Sequence, residues 1–141
     1  MIIRTAKELT VYKKSYALAM LIFEISKNFP KDEIFGLTSQ IRRSSRSIPM
    51  NLREAWAKRR YEAHFVSKLT DCDDETNETD TSIDFARDCG YISDSQHNKL
   101  SRLNSEVGKM LGKMINDPKP FLISNLYHPT SVLRPLTSIL S

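Results

Sequence analysis

The chain has 141 residues, 40% of them hydrophobic and 27% charged, with a formal net charge of +4. That is enough for one domain with a single sizeable core. Its longest apolar run, Ala17 to Phe23, is far short of the roughly 20 residues a membrane-spanning helix needs.

Charge divides the chain. Residues 1–60 hold 13 Lys/Arg and 5 Asp/Glu, a balance of +8, whereas residues 61–141 hold 8 and 12, a balance of −4. A basic half beside an acidic half can pair with itself, pair between copies, or leave the basic half facing a polyanion. The opening stretch, MIIRTAKELTVYKK, breaks each apolar run with charge, unlike a signal peptide. Cys72 and Cys89 stand apart and form no CxxC pair, so they read as reduced, buried thiols. A cytoplasmic protein is the expectation.

Four helical segments follow in order. From Glu8 to Asn28, Leu9, Tyr12, Tyr16, Met20 and Phe23 recur at steps of 3 and 4, and Val11, Leu18, Ile22 and Ile25 widen the apolar face. Thr5 with Glu8 is a candidate capping box, and Phe29-Pro30 ends the segment. The second helix is expected from Ile34 to Lys58 with Leu37, Ile41, Ile48, Leu52 and Ala55 on one face. Pro49 lies within it, removes a backbone donor and should kink or split it.

The third segment, Glu62 to Cys89, sets Phe65, Leu69, Cys72, Thr76, Thr79, Ile83 and Ala86 at alternating steps of 4 and 3. Nine acids against Lys68 and Arg87 leave this segment at −7. A seam with two threonines is weak, so this helix should lean on its neighbours. Gly90 is a candidate C-cap. The fourth segment opens with the capping pattern Ser93-x-x-Gln96 and carries Leu100, Leu103, Val107, Met110 and Met114 to its end at Asp117-Pro118. Beyond lies a tail, residues 118–141, interrupted by prolines 118, 120, 129 and 135. Four amphipathic helices with short links make an antiparallel up-down bundle the economical fold.

The function-bearing feature is Gly36 to Arg60, which holds seven bases against one acid, Glu54. At 100° per residue from Ile41, Arg42 and Arg60 fall near 100°, Arg53 near 120°, Arg46 near 140° and Arg43 near 200°. All five share one flank of the apolar stripe. Two readings stay open. The arginines pair with the acidic third helix, within a chain or between subunits. Alternatively they form a stripe whose guanidinium forks grip the phosphates of RNA or DNA. No strong aromatic stacking motif accompanies the stripe, and Trp56 falls at the core edge.

Catalytic and metal constellations are lacking in the sequence. His64, His97 and His128 match no HExxH pattern, and Asp94-x-x-His97 is a single pair where a di-iron bundle needs two. Asp71, Asp74, Glu75 and Glu78 read as a solvated acidic face. Glycine-rich phosphate loops and nucleophile elbows do not occur, and Ser44, Ser45 and Ser47 have no neighbouring His base. Neither an enzyme, nor a cofactor, nor a bound metal is expected.

The runs FPKDEIFGLTSQIRRSSRSIPMNLREAWAKRRYEAHF and DFARDCGYIS resemble the four helix bundle protein family, also called 23S rRNA intervening-sequence proteins, over residues 5–117. The resemblance implies a left-handed bundle assembled as a homo-oligomeric ring, often a pentamer. Members are encoded in insertions within large-subunit rRNA genes or elsewhere, and their function is largely unassigned. A related branch, the accessory proteins of diversity-generating retroelements, implies a basic surface that meets nucleic acid and a reverse transcriptase. Gln40, Arg42 and Arg43 fall on the family's SQIRR run, and Ser47, Ile48, Pro49 and Asn51 on its SIP-N run. Arg53 stands where many relatives have a small residue, and Asp73 and Asp74 where many have apolar or small ones. Those extra acids suggest that the third helix pairs with a basic neighbour rather than packing as an apolar seam.

Overall fold

The computed structural model of the chain describes residues 3–123. Four α-helices carry it: α1 (Thr10–Ser26), α2 (Leu37–Ala57), α3 (Glu62–Asp88) and α4 (Asp94–Asn116). Each packs on its sequence neighbours, and α1 closes the ring against α4. Cross-links fix the directions: Arg42 reaches Ser26, Thr79 reaches Ser44, His97 reaches Asp84, and Lys14 reaches Glu106. Successive helices therefore run antiparallel, up-down-up-down.

The helix ends explain the links. At the end of α3, Gly90 adopts φ +78°. Its N–H donates to Arg87 O at 2.9 Å, and the Tyr91 N–H donates to Ala86 O at 2.8 Å. This double closure needs a left-handed residue, which glycine supplies without a Cβ clash. Helix α4 then starts on a complete capping box, Ser93 Oγ accepting from Gln96 N–H and Gln96 Oε1 from Ser93 N–H. The box anticipated at Thr5 and Glu8 is not made. Glu8 accepts instead from the Arg4 N–H, and a short 3₁₀ turn, Ala6–Glu8, precedes α1.

Helix α2 begins after a second 3₁₀ turn, Lys31–Glu33, and is capped by a carboxylate: Glu33 Oε1 accepts the Leu37 N–H at 3.0 Å. A Cβ on Gly36 would meet that same oxygen at 2.7 Å, so glycine is what lets Glu33 fold back. The other Glu33 oxygen accepts from the Tyr91 hydroxyl at 2.8 Å, and Tyr91 packs against Phe29 with ring centroids 5.5 Å apart. The FPKDE and GYI runs, distant in sequence, thus meet at one end of the bundle. Pro49 does not split α2. It is buried within one unbroken helix, flanked by the fully buried Ile48.

Two apolar clusters fill the interior. One gathers Ile48, Leu52, Phe65, Leu69, Val107 and Leu111, and the other Leu18, Ile22, Ile41, Ile83 and Leu100. Several buried polar residues, Ser15, Ser44, Ser45, Thr76, Thr79 and Asn104, belong to neither. Within this waist Thr79 Oγ1 donates to Ser44 Oγ at 2.9 Å and Asn104 Nδ2 to Thr76 O at 2.9 Å. Asn104 Oδ1 is buried without a partner among the described residues. All seven expected seam positions of α3 are buried, threonines included, so the seam packs as well as pairing.

Two helix faces differ from the expected ones. In α1 the buried stripe is Val11, Ser15, Leu18, Ala19, Ile22 and Ser26, while Tyr16 and Met20 lie exposed. Serines at 15 and 26 complete the core face, so hydrophobicity alone misplaced it. In α4, Asn104 and Leu111 are buried where Leu103 and Met110 are half-buried. After α4 the first tail residues pack onto the bundle: Pro118 and Leu122 are buried, and Lys119–Phe121 forms a 3₁₀ turn. The rest of the anticipated tail, residues 124–141, lies outside the described residues.

Candidate nucleic-acid interface

The five arginines singled out by sequence have different fates. Arg43 is committed within its own chain. Its guanidinium pairs with Glu78 and, at 3.4 Å, with Glu75 on α3. Arg42 is half-buried, donates from Nε to Ser26 Oγ at 2.7 Å and holds its guanidinium 4.9 Å from the centre of the Phe23 ring. Arg46 shares that ring at 5.5 Å, and Lys27 lies 4.8 Å from it. Such cation–π seats orient the cations without neutralising them. Arg53 is exposed beside Met50 and Glu54. Among the described residues, Arg42, Arg46 and Arg53 make no ion pair with a carboxylate.

Arg60 is the exception to the stripe. Helix α2 ends at Ala57, so the 100° geometry no longer applies at residue 60, which sits exposed in the α2–α3 turn. Arg59 serves the fold instead. It stacks 3.7 Å from the Trp56 ring centre, and its guanidinium donates to Trp56 O and Phe121 O.

The acids are mostly spoken for. Lys68 holds Glu54 at 2.8 Å and Asp71 at 3.4 Å, and the Glu54 hydrogen bond leads the causes that raise the lysine's pKa. Glu106 is held below the usual carboxylate range by Lys14 at 2.8 Å. Asp84 takes His97 at 2.8 Å, so this histidine answers α3 rather than Asp94. Groups of three or more His, Cys, Asp or Glu able to hold a metal do not occur among the described residues. No helix of the described part is long and apolar enough to cross a membrane.

What the sequence missed is the company the arginines keep. Between α1 and α2 runs a groove of about 460 Å³ lined by Tyr12, Tyr16, Met20, Pro49 and Met50, together with the cations Arg46 and Arg53. A second hollow of about 450 Å³ continues it past Arg42, Arg43 and Met50. Tyr16 is 54% and Met50 63% exposed, and Tyr16 stacks on Tyr12 with centroids 6.1 Å apart. The aromatic component therefore comes from α1, across a helix pair. The clue in the sequence was that Tyr12, Tyr16 and Met20 formed an apolar row distinct from Val11, Leu18 and Ile22.

With this geometry in place, comparison with known proteins is informative. Residues 7–113 match the family described as 23S rRNA-intervening sequence protein. The chain belongs to that family. A solved structure from Bacteroides thetaiotaomicron VPI-5482, described as a protein with unknown function from the S23 ribosomal protein family, is similar at 30% identity. The match covers 75% of this chain and 95% of that one, with a TM-score of 0.68. No curated protein matches the sequence. Family membership agrees with the four-helix fold and names no reaction.

Proposed function

We propose that this bundle is a non-enzymatic, homo-oligomeric protein that binds nucleic acid through the α1–α2 face. The observation that carries the reading is the unequal use of the arginines. The acidic α3 takes Arg43 and leaves Arg42, Arg46 and Arg53 without a carboxylate among the described residues, on one surface, beside exposed aromatic and methionine side chains. Phosphates are the natural complement of such a row, because each can accept two guanidinium hydrogen bonds. The basic and acidic halves of the chain support assembly of copies by complementary faces. Replacing both Arg46 and Arg53 by Glu tests the reading. RNA binding should be lost while light-scattering mass and helicity stay as in the wild type. Retained binding would overturn it.

A second reading, a protein-binding scaffold, is favoured by Phe35, 95% exposed in the α1–α2 connection, and by Phe85, 58% exposed on α3. If it holds, Phe35→Ser or Phe85→Ser lowers the oligomer mass and the wild type shows no affinity for RNA.

A further inference from the structure

Resting on the nucleic-acid reading, we infer that the α1–α2 face takes unpaired, single-stranded nucleic acid and seats a base in the groove against Tyr16. A duplex offers a protein its phosphates and the edges of its bases, while the base faces stay stacked inside. Only a strand with splayed bases can fill an apolar hollow and satisfy cations on its rim at once.

This face has both parts. The floor between the cations is aromatic and thioether surface, from Tyr16, Met20 and Met50. On one side stand Arg46 and Arg53; on the other, a shallower hollow of about 380 Å³ brings Lys7 and Lys13 to the same two tyrosines. The tyrosine pair is therefore a platform between two cationic rims. Among the described residues Glu54 is the one acid in the lining of the groove, and Lys68 draws it to 2.8 Å on the α3 side. Along α2, the rise from Arg42 to Arg53 is about 16 Å, room for a few nucleotides of extended strand. Tyr12 backs Tyr16 at a 29° interplanar angle, which holds the outer ring in place before a base arrives.

The recognition needs neither a specific base edge nor a ribose hydroxyl, so the ligand class is single-stranded nucleic acid with little sequence preference. The test compares a short, unstructured, dye-labelled oligouridine with a fully paired RNA duplex of the same length by fluorescence anisotropy. The oligouridine is expected to bind at least about tenfold more tightly. Tyr16→Ala should cost about tenfold on the oligouridine, the scale of one lost stacking contact, and leave duplex affinity unchanged, while Tyr16→Phe restores the wild-type value. Equal or tighter binding of the duplex overturns this inference but leaves nucleic-acid binding standing. Absence of binding to both probes overturns the reading beneath it. Should Tyr16→Ala change the oligomer mass and spare oligouridine affinity, the groove seats a second copy and the inference fails.

Discussion

Asn104 is the place where the buried waist is least satisfied, and its replacement by Leu puts the description of the core at risk. The side chain is 4% exposed; its Nδ2 donates to Thr76 O, and its Oδ1 meets no partner among the described residues. Leu has the same branched shape. The substitution removes one hydrogen bond, about 1 kcal/mol, and leaves Thr76 O in the helical ladder of α3. It also removes a buried unpaired oxygen, a cost of about 1–3 kcal/mol, and adds apolar burial of about 1–2 kcal/mol. The balance favours the variant by about 1–4 kcal/mol. In urea, with a slope of about 2 kcal/mol per molar, the midpoint should rise by about 1 M. A fall in the midpoint of similar size would refute the reasoning, because it would mean that Oδ1 is satisfied and the waist is hydrated.

Three further outcomes are expected. Arg43→Ala should cost less than about 1 kcal/mol in the same assay, because its pairs with Glu75 and Glu78 are half in water, and it should leave RNA affinity largely unchanged. Burial pushes the Cys72 thiol up to about 12, but Cys89 is exposed rather than buried as the sequence suggested, so an aromatic disulfide reagent should label one thiol in native protein and two after unfolding. Glu33 is held below its ordinary value by the Leu37 N–H first and the Tyr91 hydroxyl second. A carboxylate with a depressed folded pKa contributes stability above its unfolded pKa that is lost as pH falls through the folded one. Glu33→Gln should therefore flatten the acid limb of a thermal-stability profile, and an unchanged limb would rule out this cap as its source.

Much of the fold was legible because two of its signals are local. The seam of α3 and the stripe of α2 appear in the spacing of Phe65 to Ala86 and Leu37 to Ala55, since burial on one side of a helix repeats with the helical turn. Ser93 with Gln96 and Gly90 acted through their own backbone, so the α3–α4 turn could be read from three residues. Harder was α1, where two apolar rows lie side by side and only packing decides that Leu18 goes inward and Tyr16 outward. The same limit applied to the candidate site. Arg42, Arg46 and Arg53 could be grouped by angle along one helix, but the tyrosines and Phe23 come from another. Arg43 could be separated from them only by knowing that Glu75 and Glu78 stand opposite. Arg60 was misplaced because helix geometry was extended beyond the end of α2.

The central claim is that Arg42, Arg46 and Arg53 meet phosphates, and the salt dependence of binding tests it most directly. Each phosphate neutralised on a single strand releases counterions, giving a slope of log affinity against log salt of about −0.7 per contact. The three arginines alone predict a slope at least as steep as about −2 for wild-type protein with oligouridine, and Arg53→Gln should reduce its magnitude by about 0.7. A slope near zero, or one that Arg42→Gln, Arg46→Gln and Arg53→Gln all leave unchanged, would contradict the account.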